Sequence, residues 1–224
     1  MSDTTWLDPD CDAAELAFVA EWLAEQFLTP PETDRVQAMR TLQGQVALHS
    51  IGEFVDQGRA SDAICRCLAA DTVANVTVAL QRRHTALFTG IFRHRAISPY
   101  ASVWDGTGRL YGPAVGRMRA LMRNLDVHLD ASCTEPADHL SIELVLLAEA
   151  LREERADCLE ALSVELRSWT GPFIAALTRV DGDGFYGSLA RLLNGFLDKL
   201  PLDQTATLAK TAADQAASGR KDRL

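Results

Sequence analysis

Asp138, His139 and Glu143 are the residues of this chain whose types and spacing invite chemistry, and they stand together in EPADHLSIELVLLAEAL, residues 135–151. His139 and Glu143 lie four apart, so on a helix they share one face. A carboxylate set among leucines is costly unless a cation or a hydrogen-bond donor meets it. Arg117, Arg119 or a partner's guanidinium could meet Glu143, and a solvent-facing helix edge is the plainer alternative. A His-x-x-x-Glu pair can also ligate a metal, but two ligands do not make a site. No second cluster of His, Cys or carboxylates has matching spacing, so no metal is expected. Pro136 suits the first turn of a helix, where its missing N–H costs nothing. Glu135 and Asp138 then put negative charge near the positive end of the helix dipole, worth roughly 0.3–1 kcal/mol each. Thr134 or Glu135 is the expected N-cap.

The other chemistry-bearing stretches are weaker. Cys11, Cys65, Cys67, Cys133 and Cys158 are odd in number and include no C-x-x-C pair, which indicates neither a disulfide framework nor a zinc ribbon. Arg82-Arg83-His84 and Arg93-His94-Arg95 are basic islands, read as solvated faces or anion contacts. DGTGRLYG, 105–112, lacks the spacing of a phosphate loop, and Asp181-Gly182-Asp183-Gly184 lacks the later glutamate of a calcium loop and reads as a turn. No serine or cysteine is spaced with a base as a nucleophile would be, so the chain reads as a binding protein rather than an enzyme, with no cofactor of its own.

The elements that must hold these residues are helices. Alanine and leucine are abundant, β-branched runs are scarce, and no period-2 stretch of useful length occurs, which points to an all-α fold. Asp12 caps a first helix through Leu28 that stops at Thr29-Pro30-Pro31. A second helix is expected from about Thr33 to Val55, with Val36, Met39, Leu42, Val46 and Leu48 mostly inward and Gly44 and Gly52 weakening it or permitting close packing. A short helix at 61–69 and a long one capped by Asp71 and closed by Gly90 follow. Residues 91–111 break the pattern with Pro99, Gly106 and Gly108, yet carry enough large apolar side chains to be a structured loop. Helix resumes over 113–124. The helix after the EPADH stretch is expected to bend near 152–157 and run to Trp169, with Gly171-Pro172 restarting the chain. The division expected is a helical part over 1–125, a hinge or loop at 126–137, a second helical part over 138–217 and a frayed tail at 218–224, all in a single globular unit.

Composition narrows the partners. A net charge of −9 repels phosphate backbones, so nucleic acid is not expected, whereas a cationic peptide would be attracted. The acidic start is no signal peptide and no stretch has transmembrane length, so a cytoplasmic, reduced protein without stable membrane insertion is expected.

Five segments occur in an order that resembles one family. LFTG at 87–90, SPYASVW at 98–104, GPAVGRMRAL at 112–121, EPADHLSIEL at 135–144, and LRSWTGPFIAAL with FYGSLARLLNGFL between 166 and 197 resemble the TorD/DmsD/NarJ group of maturation chaperones for molybdenum oxidoreductases. The E-P-x-D-H core is the specific piece. Glu165 stands where many members carry histidine, and Trp104 where many carry tyrosine. The resemblance implies a helical bundle with a loop or hinge between two parts. It also implies binding of the twin-arginine signal peptide, or the body, of an apo-molybdoenzyme until its cofactor is inserted. An assembly factor for a nitrate-reductase-type enzyme body, indifferent to any leader, is the alternative. On this resemblance Glu135, Pro136, Asp138, His139 and Glu143 would form the peptide site, facing Pro99, Tyr100, Ser102, Val103, Trp104 and Tyr111 across an acidic, partly apolar cleft. A monomer or a homodimer that exchanges helical halves fits the same architecture.

Overall fold

The computed structural model describes residues 12–89, 96–106, 108–130 and 133–200. They form ten α-helices and one π-helical turn, with no strand among them. Cys11, Gly90, Arg93-His94-Arg95 and the expected tail beyond residue 200 lie outside the described residues.

Helix α1 (Ala13–Leu28) begins where the Asp12 carboxylate accepts from the Ala14 N–H at 2.9 Å, and it buries Leu16, Val19, Leu23 and Phe27. The single helix expected over 33–55 is two: α2 (Thr33–Arg40) and α3 (Leu42–Phe54). The break has a local cause. Thr41 turns extended, and its hydroxyl donates to Ala38 O while accepting from Gly44 N–H. Gly44 also crosses so close that a Cβ would sit 2.2 Å from Ala38 O, so here glycine permits packing. The break rotates Leu42 and Val46 outward, 80% and 57% exposed, against the inward expectation.

Helix α4 (Gly58–Ala69) is followed by α5 (Val73–His84), which Thr72 rather than Asp71 caps; Asp71 instead accepts from Thr72 N–H and Asn75 Nδ2. The chain then widens into the π turn Thr85–Thr89. The expected structured loop contains a one-turn helix, α6 (Ala101–Trp104), and Pro113 opens α7 (Pro113–Asn124). The bend after α8 (Leu140–Arg152) is a full interruption at Glu153–Arg155, with Glu154 at φ 53. Helix α9 (Ala156–Asp181) passes straight through Gly171-Pro172, contrary to the expected restart. Both residues lie on its exposed face, where water can satisfy the carbonyl that proline leaves without a donor. Helix α10 is Phe185–Lys199.

Helix α8 is the axis of the bundle. It is apolar all round: Leu140, Leu144, Leu147 and Leu151 are sealed, and so are Leu146, Ala148 and Ala150. Such a helix must be covered on several sides. Helix α1 lies along it, α9 and α7 also pack on it, and α10 fills between α9, α4 and α1. Edge-to-face contacts join Phe27 to Phe88 and Phe173, and Phe88 to Tyr186 and His84. His84 is therefore a core residue, not part of a solvated basic island. The Asp181 turn behaves as expected: its carboxylate accepts from Arg83 Nε at 2.6 Å and from Gly187 N–H at 2.8 Å. Among the described residues no single helix is long and apolar enough to cross a membrane.

Helix α10 meets the end of α3 at Gly195, where a Cβ would lie 2.2 Å from the Val55 carbonyl oxygen. Backbone cannot give way as a side chain can. Gly195→Ala is expected to cost about 1–3 kcal/mol despite its better helix propensity, read as a lowered urea midpoint.

Candidate functional site

The EPADH corner is a latch between two chain segments. Tyr100 and His139 form an isolated antiparallel bridge. Around it Ala101 N–H donates to Asp138 O at 3.0 Å, and Leu140 N–H donates to Pro99 O at 2.9 Å. The Asp138 carboxylate accepts from Ser102 N–H at 2.9 Å, capping the first turn of α6. Ser102 Oγ accepts in turn from Gly112 N–H at 2.9 Å. Tyr100 Oη donates to Glu135 at 2.5 Å, and Trp104 Nε1 donates to Ser98 O at 2.8 Å. Proline and aspartate at these positions make sense: Pro99 and Pro136 need donate nothing, and a short-armed carboxylate reaches a helix N-terminus.

This arrangement corrects the expected open cleft beside Asp138 and His139. Asp138 and Glu143 are fully buried, His139 is 3% exposed, and Ser102 and Pro99 are covered too. Pro99, Tyr100 and Ser102 lie against the motif and close over it. Glu143 meets neither solvent nor the guanidinium of Arg117. The Trp169 indole N–H donates to it at 3.0 Å, while Arg117 pairs with Glu165 on α9 at 2.6 Å. Asp138 Oδ1, Glu143 Oε1 and the Ser141 hydroxyl have no hydrogen-bond partner among the described residues. Of the other expected site residues, Glu135, Pro136, Tyr100, Val103 and Trp104 are half-buried, and Tyr111 stands 71% exposed at φ 62. No group of three or more His, Cys, Asp or Glu able to hold a metal occurs among the described residues.

Burial sets the protonation states. The Nδ1 of His139 accepts from Ser141 N–H at 3.1 Å, so His139 is itself the N-cap of α8, in place of Thr134 or Glu135. That role fixes the proton of the neutral ring on Nε2. Burial pushes the pKa of His139 down to about 4, with the Asp138 carboxylate opposing in part. Burial drives Glu143 well above the usual carboxylate range; the Trp169 hydrogen bond pulls it back, and Glu165 and Asp138 raise it further. Burial and the neighbouring Glu135 likewise raise Tyr100.

On the other flank of α8 lies a feature the sequence reading missed. A groove of about 430 Å³ is lined by α1, by α8 and by Val127, Leu129 and Cys133, with Ile142 and Leu146 buried at its base and Leu28, Leu129 and Val145 exposed at its edge. Its one sequence signal is Val145, an aliphatic residue off the Leu140–Leu144–Leu147–Leu151 stripe of a helix apolar on every side. A second hollow, about 330 Å³, separates α1 from α2 and α3.

A sequence model of the family described as nitrate reductase delta subunit matches residues 53–178, more than half of the chain. The chain belongs to this family. The matched span contains the whole latch and most of α9. Among named relatives, the chaperone protein TorD of Vibrio cholerae serotype O1 is 32% identical over 120 residues, 47% of this chain and 54% of that protein. TorD of Aeromonas salmonicida is 32% identical over 153 residues, 61% of this chain and 64% of that protein. TorD of Vibrio atlanticus is 25% identical over 189 residues, 78% of this chain and 87% of that protein. The chain thus spans about half the length of the first of these relatives. A crystal structure of a putative redox enzyme maturation protein from Archaeoglobus fulgidus aligns over 88% of this chain and 99% of that one, at 20% identity and a TM-score of 0.49.

The two buried titrating groups pull stability in opposite directions. His139 has a depressed folded pKa, so between the unfolded value of 6.5 and about 4 the unfolded chain binds the proton that the folded chain refuses. Stability falls as pH drops through that window, by about 3 kcal/mol in total. His139→Asn, which keeps an acceptor for Ser141 N–H, should flatten that slope in urea titrations. Glu143 has a raised folded pKa, so its favourable contribution is present below 4.5 and is lost as pH rises through the folded value. Glu143→Gln, which keeps a carbonyl for Trp169, should gain stability relative to the wild type as pH rises above 4.5.

Proposed function

We propose that this protein is a maturation chaperone that holds the apo form of a molybdopterin-containing oxidoreductase in the cytoplasm, by its twin-arginine leader, until cofactor insertion precedes export. The observation that carries this reading is that the family match encloses the EPADH corner together with the segment latched over it. The relatives named chaperone protein TorD support it.

The chemistry available at the corner suits a cationic peptide with an apolar stretch. Glu135 offers a half-exposed carboxylate for a guanidinium, with Pro136 beside it. Tyr100, Val103, Trp104 and Tyr111 offer apolar and aromatic surface. Asp138, His139, Glu143, Ser102 and Pro99 serve this site from inside, holding the latch in register. If the latch opens, Asp138 Oδ1 becomes an acceptor without a competing partner. The reaction asked of the protein is binding, and no catalytic group is assigned.

A second reading, an assembly factor that grips the enzyme body and ignores the leader, is favoured by the family's description as a nitrate reductase delta subunit. Co-purification with a molybdopterin oxidoreductase lacking its leader separates the two, since only the second reading retains the client. For the first reading, calorimetry with a twin-arginine leader peptide is expected to show binding that Glu135→Gln weakens by about 1 kcal/mol, a several-fold change. A leader that does not bind at all defeats it.

A further inference from the structure

We infer that the hollow between α1, α2 and α3 is a docking site for the chain's own first residues, with Trp6 and Leu7 as the apolar groups that cover its mouth. The inference is independent of the chaperone reading. Phe18 stands on α1 with 55% of its surface in water. Trp22, one turn further on, is half-buried, and the two line a hollow of about 330 Å³. Buried Met39, Leu48 and Ile51 form its base. Aromatic and aliphatic surface gathered in one concavity, rather than scattered singly, marks a contact site.

Charge does not choose the occupant. Among the described residues the charged side chains that line the hollow are Glu25 and Arg35, and they pair with each other at 3.2 Å. Neither a cationic nor an anionic segment gains there, so apolar content and proximity decide.

Both point to the residues that precede α1. Ala14, Phe18 and Trp22 are spaced four apart, and this incompletely covered ridge leads from the start of α1 to the hollow. Residues 1–11, MSDTTWLDPDC, lie outside the described residues. Their sequence sets the apolar pair Trp6-Leu7 among polar and acidic neighbours, which solvation alone does not call for. Asp8-Pro9-Asp10 follows and carries turn chemistry, because aspartate favours the first position of a turn and proline presets the second. A turn there sends Leu7 and Trp6 back along α1. Six residue steps separate Trp6 from Asp12, about 20 Å at full stretch. Phe18 is six residues up the helix from Asp12, about 9 Å, so the tether reaches it even after a reversal. A segment held this close has an effective concentration in the millimolar range, against which free chains compete poorly.

The test uses the full chain. Hydroxyl-radical footprinting read by mass spectrometry reports the exposure of single side chains. Trp6→Ser combined with Leu7→Ser should raise the oxidation of Phe18 and Trp22 about threefold or more. Tyr111, 71% exposed on the loop before α7, should not change and serves as the internal reference. Both substitutions precede α1, and circular dichroism checks that the helices are retained. A photoreactive benzoylphenylalanine in place of Trp6 should crosslink to α1 or α3. Ala47→Arg, at an exposed position that lines the hollow, should cut that crosslink about tenfold by filling the space. Oxidation of Phe18 and Trp22 that the double substitution leaves unchanged overturns the inference. So does a crosslink that falls only on other helices, or one that Ala47→Arg leaves intact. Protection of Phe18 that disappears on dilution also overturns it, and assigns the hollow to a second copy of the chain.

Discussion

Two carboxylates stripped of water at the start of α8 set the terms for the surrounding structure. A buried Asp or Glu must find donors, and the donors must come from segments packed against it. Asp138 takes the N–H of Ser102, which fixes α6 and the extended chain before it across the front of α8. Glu143 takes the indole of Trp169, which fixes the facing surface of α9. Polar satisfaction therefore dictates which elements touch α8 on that side. Leucine could supply affinity between helices there, but not this choice of partners.

The same helix divides labour between its flanks. One flank carries Asp138, His139 and Glu143 and is closed by the latch. The other carries Ser141, Ile142 and Val145 and is left partly open beside α1. Neighbouring residues thus sit on opposite sides of one element, one set positioning a fixed segment and the other lining an apolar hollow. Because α8 is apolar all round, neither flank can be loosened without consequences for the core that α1 and α9 complete.

The helical class, the cap at Asp12 and the helix start at Pro113 were legible in the sequence because each rests on local chemistry, and the placement of the Pro99–Trp104 segment beside the EPADH motif came from the family resemblance. Burial of Asp138, His139 and Glu143 was not legible. Their types suggest an exposed site, and only the fold reveals that Ser102 N–H and the Trp169 indole replace water. The break at Thr41 escaped because its hydroxyl cap and the glycine that permits it matter only once the two helices turn against each other. The continuity of α9 through Pro172 escaped for the converse reason. Proline is a strong stop signal in sequence, and its exposed placement, which makes it tolerable, is a tertiary fact. The open groove left almost no trace, since unburied aliphatic residues read like buried ones.

Asp181 has a consequence for how copies of this chain can trade parts. Its carboxylate receives both a guanidinium from the end of α5 and the backbone of Gly187 in α10, and Arg83 also reaches the Val180 carbonyl. Nearby, the Tyr186 hydroxyl donates to Leu80 O, and Gly195 lies against Val55. The last two helices are thereby stitched to the first half of the chain at several backbone points, with no slack for a different geometry. Any intertwined dimer would have to rebuild the same stitches between molecules, so swapping would conserve this seam and rearrange only the connection that leads into it.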